Sequence, residues 1–277
     1  RSGNTGSAGG PHLHFEIRDT RTQDPLDAVE YMPNIPDTRR PDLRGIAFYP
    51  VKGKGVVNSS SNPLRLPITN DGSGNPSGLG RSINAWGRIG VGVKAYDRMD
   101  GQANIYGVKY IRLFVDDEPV FSSTIRRFSF ADTRMLNSFT DFEDWKKRRS
   151  FYMKSFVEPG NTLPHYETKD SGYIDINEER PYRFRYELED HAGNQLTYRF
   201  TVNGQKQEVP HLPPCGNWMA WNLQNTFMEP GFTLQIPGGN LYNDLCFSHS
   251  TTESRKYYSH LHRVNDQPVP LHNRAEM

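Results

Sequence analysis

Two imidazoles and a carboxylate stand at alternate positions near the start of the chain: His12, His14 and Glu16, in the run Gly9-Gly10-Pro11-His12-Leu13-His14-Phe15-Glu16-Ile17-Arg18. After the proline, apolar and polar residues alternate strictly. That pattern predicts a strand with Leu13, Phe15 and Ile17 toward a core and His12, His14 and Glu16 on the opposite face. Neighbours on one face of a strand lie ~6.5–7 Å apart, so both imidazoles look into one site. The spacing suits one histidine as a metal ligand and the other reaching a metal-bound water or a substrate oxygen, rather than both clamping one ion. A His-x-His pair on a strand is by itself a weak signal, because paired histidines on an exposed face are often only surface residues.

The elements around the pair strengthen it. Gly3-Asn4-Thr5-Gly6-Ser7-Ala8-Gly9-Gly10 is a glycine-rich loop whose small residues allow close backbone approach beside the site. Downstream, Asp24-Pro25-Leu26-Asp27 ends the unit and Tyr31-Met32-Pro33 leads into a linker. Residues 2–16, SGNTGSAGGPHLHFE, closely resemble the closing motif of the lysostaphin-type (LytM-like) peptidoglycan endopeptidases, and the Asp24-Pro25-Leu26 exit resembles that family's ending. The resemblance covers about the first 32 residues.

That resemblance implies a zinc enzyme. In the family, zinc is held by a His and an Asp of an upstream His-x-x-x-Asp motif and by the second His of His-x-His. Carried over, His14 is the zinc ligand and His12 the catalytic residue, which orients or deprotonates the zinc-bound water or stabilises the tetrahedral intermediate. The implied reaction is hydrolysis of peptide cross-links in bacterial cell wall. Peptidoglycan stem or cross-link peptides would be the substrates, envelope proteins a further class of partner, and the cell envelope, periplasmic or secreted, the compartment. Nothing before His12 supplies the upstream pair, so the chain is expected to be inactive alone and its parent to be the enzyme. The remaining readings are a catalytically inactive envelope scaffold and a wall- or glycan-binding module.

Other candidates carry less. His260-Leu261-His262 repeats the pair, and His262 to Asp266 has the His-x-x-x-Asp spacing, but in reversed order relative to the family and without a glycine-rich approach. The turn Asp97-Arg98-Met99-Asp100-Gly101 lacks the alternating oxygen ligands of a calcium loop and reads as a plain turn. His191, in a hairpin turn, reads as a surface residue. Basic clusters at Arg39-Arg40, Arg126-Arg127 and from Lys146 to Arg149 read as solvated faces.

Charge is balanced, with 33 Lys+Arg against 32 Asp+Glu, which removes the electrostatic warrant for a nucleic-acid or anionic-membrane partner. No run approaches the ~20 apolar residues of a membrane span, so no transmembrane segment is expected and the chain reads as soluble. It starts at Arg1, inside what reads as a loop, with no initiator Met or signal-peptide pattern, and is therefore read as a fragment whose export signal lay upstream. Cys215 and Cys246 form a bridge, worth ~3–4 kcal/mol, or stay as buried thiols; the sequence leaves both open.

The expected fold is mainly β: a truncated antiparallel peptidase sheet over residues 1–32, a linker over 33–43, a sandwich resembling immunoglobulin-like accessory domains over 44–205 with one short inserted helix, and a partial β unit over 209–277 whose remaining strands are expected past Met277. The clearest hairpin sets Tyr182, Phe184, Tyr186 and Leu188 against Leu196, Tyr198, Phe200 and Val202 across the turn Asp190-His191-Ala192-Gly193-Asn194, with charged residues on the other face. Thr140-Asp141-Phe142-Glu143 reads as a capping box opening a helix over about residues 140 to 150.

Overall fold

The computed structural model describes residues 10–11, 13–32, 35–253 and 259–277. A two-residue ladder comes first, β1 (Ile17–Arg18) against β2 (Pro25–Leu26). A turn of 3-10 helix over Ala28–Tyr31 follows, capped by the Asp27 carboxylate, which accepts from the Val29 N–H. The main sheet is built from β3 (Asp42–Val57), β4 (Leu64–Pro67), β5 (Asn84–Tyr96), β6 (Tyr110–Val115), β7 (Glu118–Thr124), β8 (Met153–Lys154), β9 (Tyr166–Thr168), β10 (Ile174–Ile176), β11 (Pro181–Glu189) and β12 (Gln195–Gly204). Its first strand starts inside the stretch expected to be linker.

Strand order is β4-β3-β5-β12-β11-β6-β7-β9. β5 organises this sheet. One of its edges pairs with β3 along most of its length. The other edge is shared by three strands: β12, the one parallel partner, at Asn84 and Ala85, β10 at Gly87 to Ile89, and β8 at Gly92 and Val93. Such divided pairing curls the sheet onto itself, so that β3 and β5 face β6, β11 and β12 across a shared core, and the Phe48 and Phe200 rings meet edge-on at 5.9 Å. The fold is mainly β, as expected.

Apolar alternation is what fills this core. The hairpin pairs Tyr182↔Val202, Phe184↔Phe200, Tyr186↔Tyr198 and Leu188↔Leu196, and all eight side chains are buried. Burying a side chain of this size contributes ~1.5–3 kcal/mol. The Tyr186 hydroxyl is buried too, and donates to Ser155 Oγ at 2.8 Å, so it is not left unsatisfied.

β5 is buried on both faces along Ile89–Val93. Gly90 and Gly92, which alternate with its apolar residues, are buried, because Tyr152 and Phe156 pack with Tyr49 over that face. A Cβ at Gly90 would stand 2.3 Å from the Phe156 ring, so the missing side chain is what admits the ring.

The inserted helical region forms as α1 (Leu136–Phe139) and α2 (Phe142–Arg148). The cap of α2 is Asp141 rather than Thr140: its Oδ1 accepts from the Asp144 N–H, while its Oδ2 accepts from Tyr49 and Arg65. One carboxylate thus starts the helix and fastens it to β3 and β4.

The last unit contains β13 (Trp218–Met219), β14 (Asn225–Glu229), β15 (Phe232–Ile236), β16 (Leu245–Cys246), β17 (His249–Thr252) and β18 (Leu261–Val264), in three two-stranded ladders. Met219, Phe227, Leu234, Ile236, Leu241 and Phe247 form its own small core. Cys215 and Cys246 are bonded to each other.

Candidate functional site

His12 lies outside the described residues. His14 is described: its side chain is 71% exposed, with Nε2 3.6 Å from Glu16 Oε2. Arg18 donates from Nε to the same carboxylate at 2.7 Å, and this hydrogen bond holds the Glu16 carboxyl below its usual range. Leu13 and Phe15 do not enter a core; they are 87% and 63% exposed. The reason is local: among the described residues the ladder to β2 involves only Ile17 and Arg18 and does not extend to Leu13 or Phe15. A catalytic zinc needs about three protein donors. Among the described residues no grouping of three metal-ligating side chains includes His14, so these residues do not complete a zinc centre.

The segment behind His14 is fastened to the sandwich. Asp27 N–H donates to Arg126 O and Phe128 N–H to Pro25 O, continuing the β2 backbone onto residues 126–128. Arg127 donates from Nε and Nη2 to Asp24 Oδ2, at 2.9 and 2.7 Å, and the largely buried Lys109 ammonium lies 3.0 Å from Asp27 and 2.7 Å from Glu30. The Arg126-Arg127 pair is exposed, as expected, and it also grips an acidic strap. Hydrogen bonds hold both strap carboxyls below their ordinary range, chiefly from the Thr22 backbone N–H to Asp19 and from Arg127 to Asp24. Beside the strap is an open cleft of about 620 Å³, lined by Tyr110, Arg126, Arg127, His165 and Glu167 among others.

A second grouping lies at the end of the main sheet where residues 35–41 lead into β3. Asp37 precedes β3, Asp97 follows β5 directly, and His191 sits in the β11–β12 turn. Asp97 is held by reciprocal backbone hydrogen bonds with Tyr106, both 2.9 Å. In the hairpin turn, Asp190 Oδ1 accepts from the Ala192 and Asn194 N–H groups and its Oδ2 from Asn194 Nδ2, which also donates to Asp37 O at 3.0 Å. Thr38 donates from its N–H and its hydroxyl to Asp100 Oδ2. These bonds latch three distant segments together.

One potential ligand atom from each of Asp37, Asp97 and His191 lies within 4.8 Å of the other two. Asp97 is 1% exposed. Asp37 Oδ2, Asp97 Oδ1 and His191 Nε2 are buried and have no hydrogen-bond partner among the described residues. Burial, opposed by the Arg98 backbone N–H and reinforced by the charges of Asp190 and Asp37, pushes the Asp97 carboxyl up to about 6.

His191, expected at the surface, is half-buried with its ring drawn into this cluster. Both turns that build the cluster carry recognisable residues. What brings them together is the strand order, which their spacing does not encode.

His262, from the repeated His-x-His, is engaged elsewhere. Its Nδ1 is 3.1 Å from His249 Nε2, His249 Nδ1 is 2.8 Å from Glu229, and the Phe232 ring stacks on both imidazoles.

Residues 216–277, the last unit, match the family model of the Zu5-like domain. Neither a curated protein nor a solved structure matches the chain.

Proposed function

We propose that this chain is part of an exported zinc metalloendopeptidase of the lysostaphin type, which hydrolyses peptide cross-links of bacterial peptidoglycan and carries β-sandwich accessory domains. The observation that carries this reading is the run SGNTGSAGGPHLHFE with its Asp24-Pro25-Leu26 exit. In it His14 is a zinc ligand and His12 the catalytic residue, and the other ligands come from the family's His-x-x-x-Asp motif, outside this chain. Zinc would lower the pKa of a bound water and polarise the scissile carbonyl. The grip of Lys109, Arg126 and Arg127 on residues 19–30 supports the sandwich as the part that positions the catalytic head. The Cys215–Cys246 bond fits an oxidising compartment such as the envelope. The isolated chain would be inactive.

The test is release of peptides from purified peptidoglycan by a longer protein that includes the upstream motif, loaded with zinc. Release that disappears in His14→Ala supports the reading. No release, beside an active unrelated member of the family, sinks it. A second reading, a binding module of the envelope, draws on the open cleft beside the strap, where Tyr110 and His165 stand among charged groups. Binding of wall fragments by the present chain, together with an inactive longer protein, would make it the better one.

A further inference from the structure

We infer that Asp37, Asp97 and His191 bind a divalent transition-metal ion of the zinc class, which pins the entering linker to the end of the sandwich. This inference does not depend on the peptidase reading, since it uses neither His12 nor His14.

Three observations converge on the cluster. The donor atoms of an acid from the linker, an acid from the end of β5 and an imidazole from the β11–β12 turn gather within 4.8 Å. Around an ion bound at ~2.0–2.2 Å, ligand atoms stand about 3–4 Å apart, so little movement is needed to close the site. Among the described residues, the same three account for three of the four buried side-chain polar atoms without a partner, the fourth being Asn70 Oδ1. Buried polar atoms are ordinarily paired, and three orphans on the three residues of one grouping are explained together by one shared partner. Finally, the cluster sets Asp37 and Asp97 close to a third acid, Asp190. Asp190, buried alongside, has its oxygens occupied by turn N–H groups and Asn194, and no Lys or Arg pairs with Asp37 or Asp97 among the described ion pairs.

The donor set selects the ion. Calcium and magnesium take oxygen ligands, and a neutral imidazole facing them would be a poor partner. Two carboxylates and one imidazole suit zinc and its first-row neighbours, with water completing the coordination. The role is structural, because the three ligands come from segments whose backbones are already latched through Asn194 to Asp37 and Thr38 to Asp100. An ion there adds a bond between the linker and both turns.

The experiment uses the 277-residue chain, stripped with a chelator and then equilibrated with zinc. Metal content is measured after buffer exchange, and thermal unfolding is followed by circular dichroism. The expected result is about one zinc per chain with a higher unfolding temperature, as when an ion binds only the folded state. His14→Ala keeps both. Asp97→Asn and His191→Ala each lose both while retaining the far-ultraviolet spectrum; His191 lies in a turn outside the strands, so its variant carries the test if Asp97→Asn fails to fold. Absence of bound zinc, zinc retained by folded His191→Ala, or zinc lost from His14→Ala each overturns the inference. Stabilisation by calcium but not by zinc overturns the assignment of the ion.

Discussion

His14 and His191 occupy opposite circumstances. His14 projects into solvent from the start of the chain, and its near carboxylate, Glu16, belongs to the same short segment. His191 is half-buried at the end of the sandwich, and its carboxylates come from Asp37 and Asp97, far away in the chain. A strand can present donors along one face, but it cannot gather enough of them to surround an ion. Gathering takes segments of distant sequence held in fixed register, which the curled sheet provides around β5. Among the described residues, the first region displays its chemistry without an enclosure; in the second the enclosure is built.

The largest expected effect tests the displayed region. In a zinc-loaded longer protein, His12→Ala should lower peptide release by about 10²–10⁴-fold, the usual worth of a positioned acid or base, with zinc content unchanged. Loss of zinc in that variant would instead make His12 a ligand and erase the division of roles between the two histidines.

The enclosing region is tested through its scaffold. Phe200 touches the rings of Phe184, Phe48 and Tyr198, with centroids 5.1–5.9 Å away. Phe200→Ala should destabilise the sandwich by about 3–5 kcal/mol in denaturant titration, the range for deleting a buried aromatic ring. A loss under about 1 kcal/mol would mean that the two layers do not share a core. Gly90→Ala should cost less, about 1–3 kcal/mol, because Phe156 can shift away from the new methyl group. Phe156→Leu in the same background should recover part of it.

The smallest effect concerns the strap. Arg127→Ala should loosen residues 19–30 locally, seen as faster amide exchange at Asp27 and Phe128, with the unfolding transition of the sandwich unmoved. Acid should do the same. Asp19 and Asp24 have folded pKa values below their ordinary 3.8, so the unfolded strap binds more protons there, and their contribution is complete above that pH and lost as pH falls through the lowered values. The Asp27 and Phe128 amide resonances should hold their positions from pH 5 to 8 and move only below about 3.8. Movement between pH 5 and 7 would point to a histidine instead.

The β11–β12 hairpin was legible because one of its faces is buried and a slip of one residue would turn eight apolar side chains to water. The helix after Asp141 was legible from its capping pattern, though the neighbouring acid took the cap. The buried second face of β5 was not legible, since Gly90 and Gly92 carry no side chain to mark a packed face and Phe156, which covers it, lies far along the chain. The exposure of the Arg126-Arg127 pair was legible, but the acidic segment that it meets, some hundred residues earlier, was not. At the candidate sites the local motif singled out His14, whereas the Asp97 turn read as a plain turn and His191 as a surface residue; the Asp37–Asp97–His191 cluster depends on strand order.

The position of the Cys215–Cys246 bond sets how the last unit bears tension. Cys215 stands at the end of the irregular stretch that follows β12, and Cys246 lies in β16, whose ladder with β13 is only two residues long. A pull transmitted along that stretch enters at Cys215 and passes straight through the sulfurs to β16, without first unzipping the β13 ladder. While the bond is closed the unit cannot be peeled from its leading end; once it is reduced, the same pull falls on the weakest ladder of the unit, and mechanical failure begins there.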